Sequence, residues 1–236
     1  MRRIFLLILA GLFFFACDSL ESTDNVKYAV NSGRLIKSIS CSAGRYFFTY
    51  DDQYRISTMV YTNEYDVEYK YSYRNDGNIE ATRDKWRYFY EMNHDGQLAS
   101  YSIYIDNELV TTFEFSYSDG CLDSCSSGSN TFYYSWNDGN IVSVSDMQYF
   151  SYTDIIDNFN VPIPFLTLPY YSSGIEINCP MVGKLGSEKL ASSVSTGTES
   201  YDFVYSCNEE GDIDKIELGT LVWEIEYYTE PAGVDP

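Results

Sequence analysis

Histidine is nearly absent from this sequence, which contains only His94 among its 236 residues. A Ser-His-Asp triad, a Cys-His pair or a cluster of histidine metal ligands would therefore have to use His94 itself. It stands beside Asp95-Gly96, where a solvated turn residue is expected. The sequence also lacks a Gly-x-Ser-x-Gly elbow, a phosphate-binding glycine loop and an Asp-x-Asp-x-Asp-Gly calcium loop. We therefore expect no catalytic residue, no metal site and no cofactor.

Basic residues are scarce, with 15 Lys and Arg against 35 Asp and Glu and a net charge of −20. Such a charge repels nucleic acid and anionic membrane surfaces, so neither is an expected direct partner. Solubility is the simplest explanation of the charge, and a carboxylate patch that collects Ca²⁺ is the alternative. A glycan hydrolase needs only two carboxylates at the right separation, but the sequence singles out no such pair.

No apolar run approaches the roughly 20 residues that a membrane-spanning helix needs. The run that follows Arg2-Arg3 ends at Ala16, which predicts a secretory signal peptide over residues 1–16. Phe14-Phe-Ala-Cys17 resembles a bacterial lipobox, which implies that Cys17 becomes the acylated, palmitate-bearing first residue. Residues 17–25 are polar and acidic and predict a flexible tether. Removal of the signal would leave 13 basic residues against 35 acidic ones, a charge of −22.

Besides Cys17 there are five cysteines, an odd number, so a full disulfide framework is not expected. Cys121 and Cys125 lack the close second pair that a zinc site usually has. Cys125 stands where other copies of the repeat described below carry apolar residues, which predicts a core position. The remaining cysteines are Cys41, Cys179 and Cys207.

A short pattern returns along the chain: a Gly that follows Asp in most copies, with an aliphatic residue two positions after the Gly. Its turn glycines are Gly33, Gly77, Gly96, Gly120, Gly139 and Gly211. A degenerate copy over residues 50–56 carries Tyr54 at the glycine position. Spacings near 20 residues correspond to one β-hairpin each, because Asn-Gly and Asp-Gly favour tight hairpin turns.

Aromatic residues alternate with polar ones between these turns, as in Tyr65 to Tyr73. Period-two alternation predicts strands with one aromatic and one wet face. Seven hairpins give a dozen or more strands, and open sheets of that size tend to curl or close. We predict an all-β antiparallel meander, strongly curved or closed into a barrel, that forms a single domain over residues 26–236.

The repeat is interrupted between Gly139 and Gly211, and four of the six prolines fall in this gap. We predict an irregular or short-helical insertion over about residues 146–198, which either covers the sheet or forms a ligand-facing lid. Thr153 or Asp154 would cap a short helix stopped by Pro162. Its apolar positions would be Tyr152, Ile155, Ile156 and Phe159.

Two family resemblances rest on these residues. Tyr50-Asp-Asp-Gln-Tyr-Arg-Ile56 is similar to the Tyr-Asp repeat of RHS proteins. The lipobox, the hairpins, the segment Gly183 to Leu190 and the last unit Tyr201-Asp-Phe-Val-Tyr205 resemble the Bacteroidota lipoprotein family catalogued as "domain of unknown function 4595". This likeness implies a porin-like fold and no particular activity. The acidic residues behind Cys17 resemble the Bacteroidota signal for export to the outside of the outer membrane.

The resulting hypothesis is a lipid-anchored outer-membrane lipoprotein on the cell surface, or otherwise on the periplasmic face. It would act as a non-catalytic binding or scaffolding module, with a glycan or an outer-membrane protein as partner. The alternatives are a carboxylate-based glycan hydrolase and a structural accessory of an outer-membrane complex. The weak candidates for glycan stacking, which strict alternation equally explains as sheet core, are Trp86, Tyr88, Tyr90, Tyr134 and Trp136.

Overall fold

A computed structural model describes residues 34–42, 44–156 and 187–229. These residues form sixteen antiparallel strands closed into a barrel and contain no helix, which confirms the predicted all-β class. The strands are β1 (Ile36–Cys41), β2 (Gly44–Tyr50), β3 (Ile56–Thr62), β4 (Asp66–Tyr73), β5 (Ile79–Arg83), β6 (Trp86–Met92), β7 (Leu98–Ile105), β8 (Glu108–Ser118), β9 (Cys121–Ser127), β10 (Asn130–Asn137), β11 (Asn140–Val144), β12 (Gln148–Ile156), β13 (Lys189–Thr196), β14 (Glu199–Cys207), β15 (Ile213–Leu218) and β16 (Leu221–Tyr227).

Each strand pairs with its neighbours in sequence, and β16 pairs back onto β1. At this seam Ile39 lies opposite Ile225 on one side and opposite Tyr46 of β2 on the other. Closure leaves no row of unpaired backbone groups, so the described sheet has no edge for another chain to extend.

The barrel has two distinct ends. We call the end where β1 begins and β16 finishes the proximal end; it also carries the turns that follow the even-numbered strands. The distal end carries the turns that follow the odd-numbered strands, among them Asp84-Lys85 and residues 145–147. Ile156 and Ser187 both stand at the proximal end.

The proximal turns follow the chemistry that the sequence predicts. Asp119-Gly120 and Asp138-Gly139 have positive φ at both residues, as two-residue type I′ turns require. Tyr54, which replaces glycine in the degenerate copy, has φ of 60°. The repeat therefore imposes the left-handed conformation even where the residue carries a side chain.

Alternation places the aromatic face inside and the polar face outside. On β4, Tyr69 is buried, whereas Glu68 and Lys70 on either side of it are exposed. The same pattern on β6 buries Tyr88 and Tyr90 and leaves Glu91 exposed. The hydrophobic core is therefore the inner wall of the barrel, in which each strand contributes every second residue.

A recurring hydrogen bond ties the hairpins together towards the proximal end. On seven even-numbered strands an aromatic hydroxyl or indole N–H donates to a carbonyl near the start of the preceding strand, over 2.6 to 3.0 Å. The pairs are Tyr50 to Ile36, Tyr73 to Ile56, Tyr117 to Leu98, Trp136 to Leu122, Tyr152 to Ile141, Tyr205 to Ala191 and Tyr227 to Ile213. Half-buried aromatic residues thereby satisfy their polar atoms while the rings fill the interior.

The helix predicted to begin at Thr153 or Asp154 is wrong for the described residues. Tyr152 and Ile156 belong to β12 and pair with Ala191 and Lys189 of β13. The apolar spacing that suggested a helix coincides with a strand whose backbone groups bond to a neighbour instead. Strands β12 and β13 also occupy the two ends of the region predicted as an insertion, between residues 146 and 198. Phe159, the four prolines and Cys179 lie outside the described residues, as does Cys17 with its tether.

Candidate functional site

Three of the aromatic residues proposed for glycan stacking are buried in the inner wall. Tyr88, Tyr90 and Tyr134 expose 2%, 0% and 5% of their surface. Tyr101 on the next strand stacks against Tyr90 with ring centroids 4.9 Å apart and against Tyr88 at 6.3 Å. These contacts favour the core interpretation, since no ligand on the barrel surface would reach the rings.

The other two proposed residues, Trp86 and Trp136, are half-buried and lie at opposite ends of the inner wall. Trp136 stands towards the proximal end, where its Nε1–H donates to the Leu122 carbonyl at 2.6 Å. Trp86 opens β6 at the distal end and stacks on Tyr88, with centroids 6.3 Å apart and planes 9° from parallel. The five predicted residues therefore do not form one site.

A different aromatic pair faces outwards. Tyr133 on β10 and Tyr149 on β12 expose 61% and 45% of their surface, and Met147 in the distal turn between β11 and β12 exposes 51%. The inward neighbours Tyr134 and Phe150 fix this orientation, because adjacent strand residues point to opposite faces. We call this outer-wall cluster of Tyr133, Met147 and Tyr149 the tyrosine patch.

Strand β11 separates the two tyrosines. Ser143 of β11 lies opposite Tyr149. The backbone N–H of Tyr133 donates a hydrogen bond to Ser145 Oγ at 2.9 Å. The Ser145 N–H donates in turn to the Tyr133 carbonyl at 2.8 Å. Two interstrand spacings of about 4.8 Å place the rings roughly 10 Å or more apart. That separation leaves room for a strip of small side chains between them.

The strip is built from serines. Ser143 of β11 is the buried serine between the tyrosines. Two further serines flank the pair on its far sides, Ser124 opposite Tyr133 and Ser195 opposite Tyr149. Each hydroxyl both donates and accepts hydrogen bonds. The patch thus combines two exposed rings with a low, hydroxyl-bearing floor, a surface suited to a flat polar ligand.

Sequence reasoning missed this patch because it followed the inward aromatic series. Phe132, Tyr134 and Trp136 form that series on β10, and Tyr133 stands among them at the opposite parity. The available signal was a tyrosine at an outward position, where β4 carries Glu68 and Lys70. Tyr149 shows the same exception beside Phe150.

The described residues offer little for acid–base or metal chemistry. His94 is highly exposed and lies 3.2 Å from Asp95, consistent with a solvated turn residue. No group of three or more His, Cys, Asp or Glu side chains within the described ranges is arranged to hold a metal ion. Burial raises the pKa of the Cys125 thiol to about 12, which keeps it protonated and unreactive near neutral pH.

Within the described ranges no helix is long and apolar enough to cross a bilayer. The wall itself carries ion pairs on its outer side, including Arg45 with Glu226 at 2.8 Å and Lys70 with Glu68 at 3.1 Å.

Comparison with known proteins supports the fold. No family model matches the sequence, and no curated protein matches it. The chain is similar to a crystal structure described as a porin-like protein from Bacteroides uniformis, with a TM-score of 0.61 and 11% sequence identity. The likeness covers 82% of this chain and 98% of that one. It confirms the porin-like fold that the family resemblance implied, and at this identity it concerns the fold alone.

Proposed function

We propose that this protein is a lipid-anchored, non-catalytic glycan-binding module, with the tyrosine patch as its binding surface. The observation that carries the proposal is the pair of exposed rings, Tyr133 and Tyr149, on either side of a serine floor. An amphipathic ring offers an apolar face to the C–H face of a sugar and a hydroxyl to its rim. Ring spacing of about 10 Å or more suits an extended chain of sugars rather than a single one.

The polar outer wall supports anchoring over embedding. Transmembrane barrels turn apolar residues to the lipid, and a charged side chain at mid-membrane depth costs about 2 to 4 kcal/mol. The outward positions of this barrel include the charged Glu68, Lys70 and Glu91 beside a few apolar ones such as Val204, and its buried apolar residues line the interior. A wall with this pattern is stable in water, so the membrane attachment is assigned to acyl chains on Cys17.

The position of the patch suits a surface lipoprotein. The described chain enters the barrel at Arg34 on the proximal end, which is the end closest in sequence to an anchor at Cys17. Tyr133 lies four residues into β10 and Tyr149 two residues into β12, both counted from the distal end. The patch would face away from the membrane, where external glycans are accessible.

The test is binding of residues 26–236 to a glycan array, followed by isothermal titration with each hit. Tyr133→Ala and Tyr149→Ala should each weaken a hit by roughly fivefold, because each removes one stacking ring of about 1 kcal/mol. Tyr65→Ala is the matched control, since Tyr65 is 77% exposed in a different distal turn. The control should bind as the unchanged protein does.

Other outcomes would redirect the assignment. Release of products from a bound glycan would replace the binding function with that of a hydrolase. Absence of any glycan hit, together with capture of an outer-membrane protein that depends on Tyr133 and Tyr149, would replace it with an accessory role. Equal losses in Tyr65→Ala and Tyr133→Ala would show that the patch is not the binding surface.

A further inference from the structure

Arg83 is a cation inside the distal end of the barrel. It closes β5 on the inward face, between Ala81 and the turn at Asp84-Lys85. Its Nη1–H donates to the Tyr69 hydroxyl at 2.8 Å, and its guanidinium lies 5.4 Å from the centre of the Tyr69 ring. Tyr69 accepts this bond, so its own hydroxyl proton stays available for donation.

Arg83 makes no ion pair, and the adjacent Asp84 carboxylate acts on it only through longer-range Coulombic attraction. Within the described ranges, only Arg83 and Arg87 among the lysines and arginines make no ion pair. The paired residues are Arg34, Lys37, Arg45, Arg55, Lys70, Arg74, Lys85, Lys189 and Lys215. In a chain with 35 acidic residues, an inward arginine that makes no contact ion pair stands out. An anion from outside the chain would supply the missing charge.

One edge of the Arg83 guanidinium is also unsatisfied. Its Nε is buried and has no hydrogen-bond acceptor in the described structure. A buried donor without an acceptor is destabilising, and a bound acceptor would recover that loss. A carboxylate matches the planar fork of a guanidinium and accepts two parallel hydrogen bonds from it.

A flat ring surface lies next to this edge. Trp86 is the direct register partner of Arg83 across the β5–β6 hairpin, and it is half-buried at the rim of the inner wall. Its indole is held by stacking on Tyr88 behind it. The juxtaposition therefore offers a cation, a hydroxyl donor and a half-buried aromatic ring to one ligand.

We propose that Arg83, Tyr69 and Trp86 form an inner subsite for a carboxylate attached to a ring, as in a uronic acid unit of an acidic glycan. The carboxylate accepts hydrogen bonds from the Arg83 guanidinium and the Tyr69 hydroxyl, and the ring stacks on Trp86. The subsite lies on the inner wall, separate from the outward tyrosine patch, and does not depend on the function proposed for that patch. Asp84 is the nearest acidic side chain in sequence, and it lies in the exposed turn with φ of 48°.

The probes are glucuronate, its neutral analogue glucose, and benzoate, each titrated into residues 26–236 with calorimetric detection. Saturable binding of glucuronate without binding of glucose is expected. Binding of benzoate but not glucuronate would still support a site for a ring-borne carboxylate and would identify its source as an aromatic acid. Binding of neither acid, or equal binding of glucose and glucuronate, would overturn the proposal.

Arg87 provides a matched control for the mutation. It lies on the adjacent strand β6 with its guanidinium 4.3 Å from the Tyr104 ring and with an unsatisfied Nε, but it points outwards. Arg83→Gln should weaken binding of the acid by roughly tenfold or more, Trp86→Ala should also weaken it, and Arg87→Gln should leave it unchanged. Equal losses in Arg83→Gln and Arg87→Gln would refute the site.

Two further variants separate this site from folding and from the patch. Arg83→Lys keeps the charge but loses the planar fork, so it should bind with intermediate affinity even if Arg83→Gln folds poorly. Near-ultraviolet circular dichroism of each variant would report whether the aromatic interior is intact. The double variant Tyr133→Ala, Tyr149→Ala should bind glucuronate as the unchanged protein does, and loss of binding there would contradict an inner site.

Discussion

Arg34 donates from Nη1 to Asp212 Oδ2 at 2.9 Å, although the two residues are 178 positions apart. Asp212 exposes only 1% of its side chain, and Arg34 about a quarter. Arg34 also donates from Nε to the Tyr228 carbonyl at 3.3 Å. The ion pair therefore joins the start of the first strand to the turn before β15 and fastens the seam at the proximal end.

Replacement of Arg34 tests how much this seam contributes to stability. Arg34→Gln leaves the Asp212 carboxylate buried without its cation, a change that costs about 3 to 5 kcal/mol for fully buried pairs. Because Arg34 is partly exposed, we expect a loss of about 2 kcal/mol in the free energy of unfolding, measured by urea denaturation. Lys37→Gln is the control, since its pair with Glu226 is half-exposed at 3.9 Å. A loss no greater than that of the control would contradict a structural role for the pair.

Replacement of Tyr54 with glycine should stabilise the folded protein. A residue with a Cβ loses about 1 to 2 kcal/mol in the left-handed region, and Tyr54 has φ of 60° with 58% of its surface exposed. Tyr54→Gly should raise the free energy of unfolding by about 1 kcal/mol after the entropy cost of glycine is subtracted. The reverse change at a repeat glycine, Gly77→Tyr, should lower it. An unchanged or lower melting temperature for Tyr54→Gly would refute this reading of the degenerate copy.

Much of the barrel was predictable because each hairpin is encoded locally. The Asp138-Gly139 turn and the alternation on β4 both act over a few residues, and the structure confirms both. Closure at the β1–β16 seam depends on contacts such as Arg34 with Asp212, which no local pattern reveals. Strand β12 was predicted as a helix for a related reason. Its pairing with β13, which is distant in sequence, outweighed a helix-like apolar spacing at Ile155 and Ile156.

The candidate sites were harder to predict than the fold. Alternation identified which residues share a face, but not that this face lines the interior. Tyr88 and Tyr90 were therefore weak candidates for glycan stacking alongside Trp86. A binding surface on such a barrel depends on exceptions to the repeat, such as Tyr133 at an outward position and Arg83 at an inward one. Local sequence patterns describe the residues that follow the repeat and do not indicate which departures from it bind a ligand.

Tyr73 predicts how the barrel responds to alkali. Burial, with a further contribution from the Asp51 carboxylate, raises the pKa of Tyr73 to about 12. The neutral hydroxyl is favoured in the folded state, so its contribution is complete below the unfolded value near 10 and is lost as pH rises towards 12. Stability should therefore fall over this range, and less so in Tyr73→Phe. That variant should also be less stable at pH 7 by about 1 kcal/mol, because the bond to the Ile56 carbonyl is lost. Equal alkaline slopes in both proteins would contradict the assignment.

Asp51 predicts a response to acid. Burial works to raise its pKa, but hydrogen bonds from the Arg55 side chain and from the backbone N–H groups of Arg55 and Gln53 hold the pKa of Asp51 below its usual range. A lowered pKa stabilises the fold above the unfolded value, and this contribution is lost as pH falls through the folded value. Asp51→Asn should therefore cost more stability at pH 6 than at pH 3. Asp52→Asn, at the exposed neighbouring position, should show a smaller difference, and a pH-independent cost for Asp51→Asn would refute the charge effect.

Cys125 predicts a pattern of chemical labelling. Its thiol is fully buried opposite Phe115 and Phe132, and burial raises its pKa to about 12. Only the thiolate reacts with iodoacetamide, and at pH 8 almost none of the Cys125 thiol is ionised. The reagent also cannot reach the buried sulfur, so Cys125 should not react in the folded protein. Cys121, four residues away and half-exposed at the proximal turn, should be alkylated in the folded protein, as located by tandem mass spectrometry. Cys125 should react only after urea is added, at the concentration where the barrel unfolds. Labelling of Cys125 at the rate of Cys121 in native buffer would show that the inner wall opens without global unfolding.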